Sequence, residues 1–384
     1  MPAYLDHAAS TPMRPEAIAA MLPFLADHAA NPTGAHAAAR EAKTALEEAR
    51  ETVAAHCGCR PQEVVFTGGG SESDNLAVKG AARARRSKNA RLDGVVTTGI
   101  EHKAVLGACA RLEREGFRVA PVAARATGAV DLDALRAAVD ERTAVVSVML
   151  VNNETGIRQP VDDVAAIVRE HAPHAVLHTD AVQAPQWIDV GATTTACDLV
   201  SFSGHKFGGP KGVGALVVRD GVDLVPLIEG GGHERGLRAG TQNVAGVVAF
   251  AAALAVTAQT RAAETARIAL LRDELEQGLA DQIPGFAPNG DPARRVPGLL
   301  HCTIDGVEAE TLLVALDRQG VMAAAGSSCS SGAIDPSHVL IAMGMPRERA
   351  LSSVRFSLGY TSTAADVDVA LTVVPEVVAK LRVA

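Results

Sequence analysis

Two segments put groups of unlike chemistry at the ends of apolar runs. In VLHTDAVQA, Val176 to Ala184, the run ends in Asp180, with Gln183 three residues on. In LVSFSGHKFGGPKGVGAL another run ends at Ser203 and delivers Gly204, His205 and Lys206 into a Gly/Pro-rich turn. An acid at a strand end can hold a positive charge, and a lysine desolvated there can act as an amine nucleophile. Upstream, VVFTGGGSESDNLAVKG sets Gly68, Gly69 and Gly70 between an apolar run and a helical stretch that begins near Ser71. Such a turn bares backbone N–H groups and aims a helix N-terminus at an anion. It lacks the Lys-Ser/Thr ending of a Walker A loop and the third spaced glycine of GxGxxG, which argues against a nucleotide. A phosphate cradle, a strand-end acid and a lysine flanked by Ser and His are together what pyridoxal phosphate requires. The amine binds the aldehyde, the acid keeps the ring nitrogen protonated, and hydroxyls and N–H groups hold the phosphate.

The elements that must position these groups are legible as alternating patterns. Short apolar runs at Glu63–Thr67, Gly94–Thr98, Arg118–Val122, Thr143–Val151, Ala175–Thr179, Asp198–Ser203 and Gly214–Arg219 alternate with Ala/Glu/Arg-rich stretches. That alternation predicts strands separated by amphipathic helices in a mostly parallel sheet, an α/β fold. In such sheets ligands sit at the carboxyl ends of strands, where the polar residues above fall. From about Thr241 to Gln282 the chain is Ala-rich with few breakers, which predicts long helices joining two lobes. Strands at Gly298–Ile304, Val321–Ala324 and Ser353–Leu358, with helices at Glu308–Arg318 and Ala364–Ala379, then predict a smaller α+β lobe.

Composition narrows the function classes. The 384 residues are 48% hydrophobic and 21% charged, a globular balance, and only 3% aromatic, so stacking platforms for single-stranded nucleic acid are not expected. A net charge of −8 repels phosphate backbones, and the basic stretch Arg83 to Arg91 reads as a solvated helix end. No stretch of 18 or more consecutive apolar residues and no basic, then apolar leader occurs, so the expected location is cytoplasmic. Six cysteines without regular spacing fit free thiols, and Cys57-Gly-Cys59 lacks the second Cys or His pair that a metal site would need.

The motifs YLDHAASTPMRP, NPTGAH, GGGSESDNLAVKG, EHKAV, VNNETG, HTDAVQA, SFSGHKFGGPKGVGAL, GGGHERGLRAGT, GSSCSSG, PSHVL and RFSLG run nearly end to end. In that order and approximate spacing, the chain resembles the cysteine desulfurases of the nitrogenase-associated and housekeeping iron–sulfur type. These are class V aminotransferase-like, fold-type I pyridoxal-phosphate enzymes. The resemblance implies a large cofactor-binding domain over 14–258 with a mostly parallel seven-stranded sheet, and a small domain over 1–13 and 259–384. By the same resemblance Lys206 joins the cofactor aldehyde, Asp180 pairs with the pyridine nitrogen, Gln183 bonds the ring hydroxyl, and His102 stacks on the ring and carries protons. Phosphate contacts map to Gly70, Ser71, Ser203 and His205, and Thr241 reaches the phosphate of a partner subunit, which implies a homodimer with shared sites. Asn153 lies near cofactor and substrate, Arg355 clamps the substrate carboxylate, and Asn31 faces the substrate region.

Cys329 is the residue on which the implied activity turns. It sits in AAAGSSCSSGA, whose small side chains between Gly326 and Gly332 predict a mobile loop, about 324–334, that carries its thiol toward the cofactor. The other five cysteines read as small buried hydrophobes. The reaction implied is removal of sulfur from L-cysteine, giving alanine and a persulfide on Cys329 for an acceptor protein or thiol. Small departures from the family pattern, Ser10 for a threonine, GGSES for GATES and GSSCSSG for GSACTSG, each keep the chemistry. A selenocysteine lyase or another class V enzyme is the alternative within the family, and a silent partner protein on the same fold is the alternative outside enzymes. No metal and no direct nucleic-acid contact are expected. Where the sulfur goes, to iron–sulfur clusters, tRNA, DNA or a natural product, has no sequence signature.

Overall fold

The structure is a computed structural model of one chain, and it describes residues 2–326 and 335–383. The first strands are β1 (Ala3–Tyr4), β2 (Val64–Thr67), β3 (Gly94–Thr98), β4 (Arg118–Val122), β5 (Thr143–Ser147) and β6 (Val176–Asp180). There follow β7 (Leu199–Ser203), β8 (Gly214–Val218), β9 (Phe286–Pro288), β10 (Leu299–Ile304), β11 (Val321–Met322) and β12 (Ser353–Ser357). The helices before the middle of the chain are α1 (Pro15–Ala26), α2 (Ala37–His56), α3 (Gly70–Asn75), α4 (Ala81–Lys88), α5 (Lys103–Arg114), α6 (Leu132–Ala138) and α7 (Val161–His171). Beyond them lie α8 (Val190–Thr193), α9 (Val244–Gln282), α10 (Ala309–Arg318), α11 (His338–Ala342), α12 (Arg347–Leu351) and α13 (Ala364–Val383). A π turn, Leu76–Gly80, joins α3 to α4 without breaking the helical path.

At the centre is a seven-stranded sheet in the order β2-β8-β7-β6-β5-β3-β4, in which only β8 runs against the rest. The strands β5 to β8 are buried along their whole length, which explains why they read as unbroken apolar runs rather than alternating ones. The order reverses at β3, which is flanked by β4 on one side and β5 on the other, a topological switch of the kind that opens a ligand crevice at the carboxyl ends. One strand is shorter than the sequence predicts. Residues 148–151 continue the apolar run of β5 and are fully buried; they fall outside the regular strand, although the N–H groups of Val148 and Leu150 still donate to the carbonyls of His178 and Asp180 on β6.

The long Ala-rich stretch is a single helix, α9, of 39 residues rather than several. By length and composition it could cross a membrane, but 56% of its most apolar window is buried, and it packs against α1, α2 and α13. Its small side chains let those helices approach closely. Past it, β12, β10 and β9 form an antiparallel sheet, and the first strand of the chain, β1, pairs in parallel with β11. The chain start is thus fixed to its last third, with Asp6 bridged to Ser357. The basic stretch after Arg83 is a solvated helix end: Arg83 pairs with Glu115, Lys88 with Asp223, and Arg86 lies over Phe117.

Gly214 shows how tightly the sheet closes on the glycine turn. A Cβ there would lie 2.5 Å from the Phe202 carbonyl oxygen and 2.7 Å from Gly69 Cα, both backbone atoms that cannot yield cheaply. Gly214→Ala is therefore expected to destabilise the protein by about 1–3 kcal/mol. Gly107, exposed within α5 with nothing within 4 Å of such a Cβ, is expected to stabilise by about 0.5–1 kcal/mol on the same change. Guanidinium unfolding midpoints of the two variants check the opposite signs.

Candidate active site

Lys206 stands in a tight turn directly after β7. The turn is closed by Gly204 N–H donating to Val213 O at 2.9 Å and by Phe207 N–H donating to Gly204 O at 3.1 Å. This geometry carries the lysine off the end of the strand into a half-buried position. Its Nζ donates to the carbonyl oxygens of Ala8 at 2.6 Å and Ala9 at 2.9 Å. Burial, with the Arg355 charge nearby, takes the amine down to about 8, while Asp180 and Asp6 oppose the shift. The amine is therefore poised close to neutrality.

Asp180 ends β6, the parallel neighbour of β7, and is 4% exposed. Its Oδ1 accepts the Val182 N–H at 2.9 Å, so the chain turns away beneath the carboxyl group. Burial pushes this acid up; His102, the Val182 N–H and Lys206 hold it down. His102 caps the start of α5, accepting the Ala104 N–H at Nδ1 over 3.2 Å, which leaves Nε2 free. Burial lowers the His102 pKa, with Asp180 opposing, so the neutral ring carries its proton on Nε2. Asp180, His102 and Asp74 each offer an atom within 4.8 Å of the others. Gln183 donates from Nε2 to Ala8 O at 2.7 Å, the same carbonyl that receives Lys206.

The glycine turn abuts the ends of both strands. Gly69 has φ of 141°, a conformation only glycine adopts without strain. A Cβ on Gly70 would meet Val182 Cγ2 at 2.8 Å and Ser203 Cβ at 3.3 Å, so the bare backbone at the start of α3 approaches Ser203 closely. Ser71 is exposed beside it. His205 faces the chain start instead: its Nδ1 is 3.3 Å from Ser10 Oγ and its carbonyl accepts the Thr11 N–H. Burial, with Lys206 and Lys211, takes its ring down to about 4.

Arg355, expected to hold substrate, lies on β12 and is 3% exposed. It donates from Nη2 to Asp6 Oδ1 at 2.7 Å and from Nη1 to Asn153 O at 2.8 Å, while Nε has no partner. Asn153 reaches this group through its main chain. The preceding Asn152 fixes the turn, donating to Ile100 O at 2.9 Å and accepting the Glu154 and Thr155 N–H groups at 3.0 and 2.8 Å. Thr241 and Asn31 are exposed, and no hydrogen bond among the described residues ties either to the Lys206 cluster. Asn31 accepts instead from Thr33, as an Asn-Pro turn does. Cys329 and most of its expected loop lie outside the described residues. The five other cysteines are unpaired. Four are buried, and burial raises Cys109 and Cys197 to about 12 and the half-buried Cys59 to about 11.

Several groups at this site had no signature in the sequence pattern. The carbonyls of Ala8 and Ala9 are main-chain acceptors, and Asp6 gains meaning only from Arg355, 349 residues away. Asp74 reads as a solvated helical acid in SESDN but is 1% exposed. Glu101 is fully buried and pushed up to about 8 by that burial.

The residues fit the expected cofactor. A near-neutral amine and a strand-end acid converge from neighbouring strands, and the glycine turn leaves room at Gly70 for nothing larger than backbone. Comparison with known proteins agrees with this chemistry. The aminotransferase class-V family pattern matches residues 3–370. An IscS-like cysteine desulfurase of Mycobacterium tuberculosis is 44% identical over 99% of this chain and 97% of its own length. A solved NifS-like protein superposes with a TM-score of 0.92 at 36% identity, covering 99% of this chain and 100% of its own. SspA, solved in complex with cysteine, gives 0.81 at 33% identity over 94% of this chain and 100% of its own.

Lys206 chemistry is testable on the cofactor-free protein. Acylation of its amine should rise with pH to half-maximum near the value of about 8 set by its surroundings. Arg355→Met removes a nearby positive charge and should move that midpoint upward, read by mass spectrometry of the labelled peptide.

Proposed function

We infer the roles of single residues from one premise: the chain belongs to the aminotransferase class-V family and is a pyridoxal-phosphate-dependent cysteine desulfurase. It consumes L-cysteine and passes sulfur to an acceptor. When bound, the cofactor supplies an aldehyde that captures the substrate amine and an electron-accepting ring that loosens bonds to the substrate Cα. Lys206 is the residue that holds the aldehyde, and the observation that carries this assignment is its half-buried amine just past the end of β7, held by two carbonyls beside Asp180 at the end of the neighbouring strand. Asp180 pairs with the ring nitrogen, Gln183 with the ring hydroxyl, and the N–H groups at Gly70 and Ser71 hold the phosphate together with Ser203 and His205.

Lys206 Nζ then takes and returns the substrate α-proton, and His102 Nε2, its free nitrogen, carries a second proton. Arg355 clamps the substrate carboxylate beside Asn153, exchanging its contact with Asp6 for the substrate, with Asn31 facing the same region. Cys329 attacks the substrate sulfur. Cysteine and the Cys329 thiol become alanine and a Cys329 persulfide, whose outer sulfur passes to the acceptor as the thiol is restored.

Three wider assignments accompany this reading. The protein acts as a cytoplasmic homodimer in which Thr241 serves the partner's site. The exposure of Thr241, with no hydrogen bond among the described residues to this chain's own Lys206 cluster, supports it, and the turn leading to it is fixed by the buried Arg50 pair with Glu234 at 2.7 and 2.9 Å. The large domain spans 14–258, and 1–13 with 259–384 form the small one, supported by the pairing of β1 with β11. The likeness to the IscS-like relative favours iron–sulfur clusters among the four destinations that the sequence leaves open.

Single-turnover assays with L-cysteine decide the chemistry. Lys206→Ala should abolish borohydride-fixed cofactor and alanine release, and Cys329→Ser should abolish the labelled persulfide while cofactor stays bound. Arg355→Lys, which loses the planar fork, should raise the KM for cysteine roughly tenfold with a smaller change in kcat. Alanine release at the wild-type rate from Lys206→Ala would refute the assignment.

A further inference from the structure

Beside Asp180 lies a second acid that the roles above leave unused. Asp74, on α3, is 1% exposed, and its Oδ1 has no hydrogen-bond partner among the described residues. The nearest ring nitrogen, His178 Nε2, is 3.6 Å away, beyond hydrogen-bond reach. His178 supplies no cation either. Its two nitrogens lie 2.9 Å from the hydroxyls of Ser147 on β5 and Ser201 on β7, which a neutral imidazole satisfies by donating once and accepting once. Burial agrees, taking that ring down to about 3.

The groups facing Asp74 come from four elements. Asp180 and His178 stand on β6, Glu101 in the turn after β3, and His102 at the start of α5; Ser201 on β7 brings its hydroxyl to the Asp74 carboxyl and alone opposes the upward push of burial, Asp180 and Glu101. Glu101 adds no positive charge, and its Oε2 is also without a partner. The cations here, Lys206 and any protonated His102, act on Asp180. Two buried carboxylates this close cannot both ionise cheaply, and the one without a cation keeps the proton.

We propose that Asp74 is a positioning residue held as a neutral carboxylic acid, so that Asp180 alone presents a negative charge to the cofactor's ring nitrogen. The proposal rests on the assignment of Asp180 to that nitrogen. Its geometry places an uncharged hydrogen-bonding group where a second carboxylate would compete for the ring cation.

Infrared spectra of the cofactor-free protein at neutral pH, for wild type, Asp74→Asn and Glu101→Gln, read the proton directly. Titration of pyridoxal phosphate into the same proteins and into Asp180→Asn, followed by absorbance, reads its purpose. The expected result is a carbonyl band of a buried protonated acid that weakens in Asp74→Asn. That variant, neutral and nearly isosteric, should bind pyridoxal phosphate within about threefold of wild type, while Asp180→Asn binds at least roughly tenfold more weakly. Asp74→Ser, also neutral, is the second variant should the first not fold. A band unchanged on losing Asp74, or removed wholly by Glu101→Gln, overturns the proposal, as does an Asp74→Asn affinity falling as far as that of Asp180→Asn. Wild-type affinity in Asp180→Asn would instead overturn the assignment of Asp180, while the infrared result still decides the protonation of Asp74.

Discussion

Everything at this site depends on holding a half-buried amine beside a fully buried carboxylate at the ends of adjacent parallel strands. Desolvation alone would drive Lys206 toward its free base and Asp180 toward its acid, and their mutual attraction opposes both shifts. The sheet makes this balance rigid. Because β6 and β7 are buried along their whole length and paired at Asp180 and Ser201, the carboxylate cannot swing to solvent without tearing the ladder, while the half-buried Lys206, in the turn after β7, is held by the Ala8 and Ala9 carbonyls. The glycine turn, the Asn152 staple and the Ala8 and Ala9 carbonyls are arranged around that fixed pair.

The seven central strands fall within a few residues of their apolar runs because all but the edge strand β4 are buried along their length and flanked by helices whose patterns differ sharply from them. The exception, residues 148–151, is instructive. Burial makes a run apolar whether or not the regular strand continues, so a buried segment still bonded to β6 through Val148 and Leu150 reads as more strand. Long helix α9 was legible for a similar reason, since its alanines leave no breaker to divide it.

Site residues divide the same way. Lys206, Asp180 and the glycine turn were visible because their chemistry is rare at strand ends, and Arg355 was placed by motif even though a strand arginine ordinarily faces solvent. Its burial follows from Asp6 and the Asn153 carbonyl, two partners that no local pattern links to it. Asp74 and Glu101 escaped attention because an acid beside a helix start looks solvated until the sheet is laid across it.

The bond between Asp6 and Arg355, with β1 laid against β11, closes a loop of almost the entire polypeptide. A ribosome making this protein must release nearly all of it before Arg355 meets its counter-charge, so the large sheet and the Lys206 contacts can form early while that clamp is assembled last. During synthesis the nascent chain thus carries an unfinished pocket, and a chain stalled or clipped in its final third is left with none of that clamp.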